Sequence, residues 1–221
     1  MIKKLINKKN IKIVFFGDSI TEGFFEFSKD GKSVIDKDSV YHNKLKSIIN
    51  YFYPEKEILT LNKGIGGQNS TAAIDRLKSD VIDNNPDLVV VCFGLNDIYS
   101  DIEEFNTSLD TIFKAINKSH IPCIYMTPNM LNTKVNGVIC QDVAEFTSSF
   151  QNSGKMDLYM ESAIQVASNN NITICDCYNV WKRLTKSGID TNKLIANGIN
   201  HPNREMHWLF AQKLFETIFL D

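Results

Sequence analysis

The sequence predicts an α/β protein: a mainly parallel, five-stranded sheet held between two layers of helices. Two observations carry that expectation. Five short apolar blocks, at 11–16, 58–62, 88–93, 121–127 and 172–175, are rich in Val, Ile and Phe without polar alternation, as strands covered on both faces must be. Longer segments with helical spacing separate them, and strand–helix alternation produces crossovers and a parallel sheet.

The helical stripes follow in order. Val40, Leu45, Ile48 and Ile49 form the first, and Ala73, Ile74, Leu77, Val81 and Ile82 the second. Phe105, Leu109, Ile112, Phe113 and Ile116 form the third, and Leu158, Met160, Ala163, Ile164 and Ala167 the fourth. Met206, Leu209, Phe210, Leu214 and Ile218 form the last, with Pro202 near its start, where a helix tolerates proline. Between the fourth strand and the fourth helix, 128–154 has no clean period. It reads as a partly helical rim, with Asn132, Asn136, Gly137, Asn152, Ser153 and Gly154 beside Val138, Ile139, Val143, Phe146 and Phe150. No repeat or linker divides the chain, so residues 1–221 read as one domain.

The chain has 221 residues, 43% of them hydrophobic, enough for a substantial core. Its 24 basic and 26 acidic side chains leave a net charge of -2, which argues against a nucleic-acid partner. The basic N-terminus is followed by an apolar run too short for a signal peptide, and no stretch approaches the roughly 18 apolar residues of a membrane span. A cytoplasmic protein that does not engage a membrane is expected. The five cysteines, Cys92, Cys123, Cys140, Cys175 and Cys177, have no framework spacing and read as reduced thiols. Cys175-Asp176-Cys177 lacks a second ligand pair nearby, so no metal site is expected.

Ligands of a parallel sheet bind at the carboxyl ends of its strands, and chemically capable residues stand there. Gly17-Asp18-Ser19-Ile20-Thr21 follows the first strand. Ser19 is placed either to cap a helix or to act as a nucleophile on a sharp exit from the sheet. Asn62-Lys63-Gly64-Ile65-Gly66-Gly67 follows the second strand and opens a helix, with glycines that let backbone N–H groups approach a ligand. Gly94-Leu95-Asn96-Asp97 follows the third, and the Asn96 amide can donate to a developing oxyanion. A base is needed for Ser19. Of four histidines, His120 closes a helix at the far edge, and His42 and His207 lie within amphipathic helices. His201 lies in the polar loop 197–203, ahead of the last helix, and is the candidate by elimination.

These four blocks in this order, GDSIT at 17–21, NKGIGG at 62–67, GLND at 94–97 and HPN at 201–203, resemble the SGNH (GDSL) hydrolase superfamily. The resemblance spans nearly the whole chain. It implies a flavodoxin-like three-layer α/β/α sandwich and hydrolysis of carboxylic esters without metal or organic cofactor. It also implies roles: Ser19 as nucleophile and oxyanion donor through its N–H, Gly67 and Asn96 as further oxyanion donors, and His201 as general base and then acid.

The pattern is broken at one place. The superfamily carries an aspartate three residues before the histidine; here that residue is Gly198, preceded by Asn197. The alternatives are a dyad with the ring oriented by a backbone carbonyl, another carboxylate (Asp18, Asp176 or Asp190), or weakened activity. The expected substrate is a small ester, an acetyl group on a carbohydrate or similar polar alcohol, with a lipid or thioester acyl chain as the alternative. An acyltransferase on this scaffold and a non-catalytic flavodoxin-like binding module are the competing functions.

Overall fold

A computed structural model describes residues 5, 7–135 and 140–220. The rim residues Asn136, Gly137, Val138 and Ile139 lie outside the described residues. Five strands, β1 (Asn10–Gly17), β4 (Glu57–Gly64), β5 (Leu88–Cys92), β6 (Cys123–Met126) and β7 (Thr173–Cys175), form one sheet in the order β4-β1-β5-β6-β7. Every pairing in it is parallel. The order reverses between β4-β1 and β5, so a crevice opens beyond the carboxyl ends of these three strands. Every residue of β5 is buried, which explains its unbroken run of Leu, Val and Cys.

Helices cover both faces. On one, α2 (Tyr41–Phe52) packs on α8 (Met206–Phe219), which also meets α7 (Cys177–Lys186). On the other, α3 (Ser70–Asp80), α4 (Ile102–Lys118), α6 (Lys155–Asn169) and α5 (Gln141–Asn152) pack in succession. Phe15, Phe16, Phe113, Tyr125 and Phe210 are fully buried between the layers. A buried aromatic of this kind contributes about 1.5–3 kcal/mol.

Three features depart from the sequence expectation. A four-residue helix α1 (Ser19–Glu22) leads into a two-stranded antiparallel hairpin, β2 (Phe24–Phe27) with β3 (Ser33–Ile35), which packs beside the sheet's carboxyl edge. Helix α7, directly after β7, buries Cys177, Tyr178 and Trp181, a stripe too short to stand out as a period. The last helix begins at Met206, not near Pro202, because Pro202 pairs with Ile195 in an isolated antiparallel bridge. Within the rim, helix α5 exposes Val143 and Phe146 and buries Ala144 and Thr147. No helix among the described residues is long and apolar enough to cross a membrane.

Candidate active site

The site starts from an enforced turn. At the end of β1 the chain passes so close to its neighbours that a Cβ on Gly17 would stand 2.7 Å from the Cys92 carbonyl oxygen. One on Gly64, at the end of the neighbouring β4, would stand 2.1 Å from the Glu22 nitrogen. Two backbones therefore converge beneath α1, and no side chain fits between them. Asp18 caps α1, its carboxylate accepting from the Ile20 N–H at 2.9 Å. Ser19 is thus the first helical residue, and its hydroxyl is not used as a cap.

That hydroxyl lies 2.7 Å from His201 Nε2. The two residues are far apart in sequence, and the loop holding His201 is stabilised independently. The Ile195–Pro202 bridge closes its base, with the Ala196 N–H donating to the His201 carbonyl at 2.7 Å. The rim supports its tip: the Asn132 N–H donates to the Ile199 carbonyl at 2.8 Å and Asn129 Nδ2 to the Asn200 carbonyl at 2.8 Å. Phe24 of the hairpin packs its ring against His201, centroids 4.7 Å apart. His201 is buried, and that burial drives its pKa down to about 3, so the ring is neutral at ordinary pH.

The oxyanion candidates lie on the glycine-rich loop after β4 and on the loop after β5. A Cβ on Gly66 would stand 3.9 Å from Ser19 Cβ, which brings the glycine-rich loop against the nucleophile candidate. Gly67 next to it has φ +76 and open space where a side chain would project. Asn96 Nδ2 donates to the Gln68 carbonyl at 2.9 Å, which spends one of its two hydrogens and orients the other. Asp97 joins the loops, accepting from the Ser70 N–H at 2.8 Å and from its hydroxyl.

Sequence reasoning did not single out Arg76. Its guanidinium donates to the Gly17 carbonyl at 3.0 Å, the Lys63 carbonyl at 2.7 Å and Gln68 Oε1 at 2.6 Å, and lies over the Phe16 ring. One side chain thus ties together the ends of β1 and β4 and the glycine-rich loop.

Each carboxylate considered as an orienting acid is engaged elsewhere. Asp18 caps α1. Asp176 caps α7, accepting from the Asn179 N–H and the Thr127 hydroxyl, both at 3.0 Å. Asp190 accepts from the backbone and side chain of Asn192. The group facing His201 Nδ1 is Asn197 Nδ2, at 2.8 Å. Asp18 and Asp97 are buried, and burial raises both, Asp18 to about 7. The other histidines serve the core or the surface: His42 and His207 are buried among Phe15, Tyr41, Phe25 and Phe210, and His120 is exposed beyond α4. Among the described residues no cluster of three His, Cys, Asp or Glu could hold a metal ion.

With this geometry in place, comparisons with known proteins are informative. The pattern of the GDSL-like Lipase/Acylhydrolase family matches residues 15–209. An acetylxylan esterase of Geobacillus stearothermophilus is 26% identical over 223 residues, covering 94% of this chain and 93% of that protein. A crystal structure of an acetylxylan esterase from Geobacillus stearothermophilus superposes with a TM-score of 0.71 at 24% identity, over 94% of each chain. That of a hydrolase from the metagenome of Lake Arreo, Spain, superposes with a TM-score of 0.72 at 21% identity, again over 94% of each. Both structural likenesses are of fold.

Proposed function

We propose that this chain, which belongs to the GDSL-like lipase/acylhydrolase family and is a carboxylic ester hydrolase, removes acetyl groups from carbohydrate alcohols through an acyl-enzyme on Ser19. The observation that carries the serine mechanism is the 2.7 Å approach of Ser19 Oγ to His201 Nε2 at the carboxyl edge of the sheet. Ser19 Oγ attacks the ester carbonyl carbon as its proton passes to His201 Nε2. The oxyanion accepts from the N–H groups of Ser19 and Gly67 and from the free hydrogen of Asn96 Nδ2. His201 then protonates the departing sugar alcohol, and a water molecule activated by the same nitrogen hydrolyses the acetyl-serine to acetate.

Two features support a small acyl group on a carbohydrate. The relative that covers most of this chain is an acetylxylan esterase. Beyond Asn96, exposed Tyr99 and exposed Phe146 stack with centroids 5.9 Å apart, and Phe150 packs against both. Flat exposed rings of this kind suit the apolar face of a pyranose. We assign the rim to sugar contact on that basis.

The experiment is acetate release from acetylated xylooligosaccharides and from p-nitrophenyl acetate, with Ser19→Ala as the comparison. The variant is expected to lose at least about 10³-fold in kcat while remaining folded by circular dichroism. Retention of most of the turnover would remove Ser19 from the mechanism, and activity on p-nitrophenyl acetate without any on the oligosaccharides would remove the carbohydrate reading.

A further inference from the structure

A histidine that takes a proton from Ser19 must present a bare Nε2 and carry its own proton on Nδ1. The surroundings of His201 favour the opposite arrangement. Asn197 Oδ1 accepts three backbone N–H groups, those of Ile199, Asn200 and His201, each at 3.0 Å. This identifies the oxygen end of the amide without ambiguity: turning it over would set an NH₂ group against three donors. The two hydrogens of Nδ2 then point to Asn200 Oδ1 at 3.0 Å and to His201 Nδ1 at 2.8 Å. A donor aimed at Nδ1 requires a lone pair there, which leaves the ring proton on Nε2, facing Ser19.

We infer that Asn197 is a positioning residue that holds His201 in its Nε2–H tautomer, so that Ser19 Oγ accepts a hydrogen bond in the resting protein and the esterase is attenuated by a single amide. Turnover then requires a proton to leave Nε2 and one to arrive at Nδ1 through solvent, with no change in net charge. The competent tautomer sets an N–H of the ring against an N–H of Asn197, and the imidazolium formed in the transition state meets the same opposition. An aspartate at 197 would keep the three backbone bonds on one oxygen and accept from Nδ1–H on the other. The loop is thus shaped for a carboxylate in a position displaced by one residue from the superfamily's usual place.

This inference rests on the Ser19–His201 reading above, and its test is separable from that reading. In ¹⁵N-histidine NMR of the unaltered protein, with the His201 signals identified by their loss in His201→Gln, Nε2 is expected to carry the proton and Nδ1 to be bare. A proton on Nδ1 overturns the inference, whatever the activity. In Asn197→Asp the tautomer is expected to switch and kcat on p-nitrophenyl acetate to rise by about 10²- to 10⁴-fold, with KM within threefold. The acid limb of kcat/KM should also move to higher pH, because a carboxylate stabilises the imidazolium. A rise below threefold with an unmoved acid limb overturns the inference. If Asn197→Asp fails to fold, the tautomer in the unaltered protein decides alone. Retained hydrolysis in Ser19→Ala would instead break the underlying reading and leave the tautomer result standing.

Discussion

The two sides of this site differ in what their polar groups face. On the sheet side, Asp18 and Asp97 are buried carboxyl groups that, among the described residues, have no basic side chain hydrogen-bonded to them, and burial raises both. On the loop side, His201, the base of the proposed mechanism, faces an amide. The carboxylates cap a helix and tie two loops together; they are placed for backbone N–H groups, not for the imidazole. Proximity in sequence to a catalytic motif therefore says little about which acid orients a base. The direction in which each lone pair points decides it.

The contrast can be broken or sharpened by substitution. After Ser19 and Asn197, the largest effect is expected at Asn96, whose amide keeps one hydrogen beyond the one given to the Gln68 carbonyl. Asn96→Ala should lose roughly 10²–10³ in kcat with little change in stability, and a loss under threefold would make it a turn residue. Gly198→Asp, which restores an aspartate at the superfamily's usual position, is expected to give no gain in turnover. Gly198 has φ +69, where a side chain costs about 1–2 kcal/mol, so thermal unfolding should shift downward. A rise in kcat for this variant would show that the loop accepts an orienting acid there.

Phe146→Ala should raise KM for acetylated oligosaccharides about 2- to 10-fold and leave p-nitrophenyl acetate unaffected. An equal effect on both substrates would place Phe146 at the acyl group instead. The smallest effect on turnover is expected from Asp18→Asn, since asparagine caps a helix about as well as aspartate. Its signature is in stability. A carboxyl raised from 3.8 to about 7 by folding favours the folded state below pH 4, and that contribution is lost as pH rises through 7. Asp18→Asn should therefore stabilise the protein more at pH 9 than at pH 4, measured by thermal denaturation. A fall in turnover of about 10⁴ with a shifted acid limb would instead mark Asp18 as the partner of His201.

Much of the architecture was legible because it follows from burial. The strands at 11–16, 58–62 and 88–93 correspond closely to β1, β4 and β5; of the three only β5 is buried throughout, whereas the edge strand β4 exposes Leu59. The hairpin β2–β3 was not legible: Phe24-Phe25-Glu26-Phe27 is brief, and its pairing partner is the polar-flanked Ser33-Val34-Ile35. Helix α7 was missed because its buried stripe covers fewer than three turns. The site divides in the same way. Residues that leave strand ends, Ser19, Gly67 and Asn96, are located by the sheet itself, and His201 was reached by elimination among four histidines. Arg76 and Phe24 were invisible, because each acts through a contact made only when distant segments meet.

Sequence alone determined that this is a parallel α/β protein of the GDSL-like family with a serine and a histidine available at one edge, because strand burial and glycine-dependent close approach are written locally. It also showed that the usual aspartate is missing. Only the tertiary structure decided what replaces it. The orientation of an amide depends on its surrounding donors, and three backbone N–H groups brought together by the closed 195–202 loop turn the Asn197 oxygen away from the His201 ring.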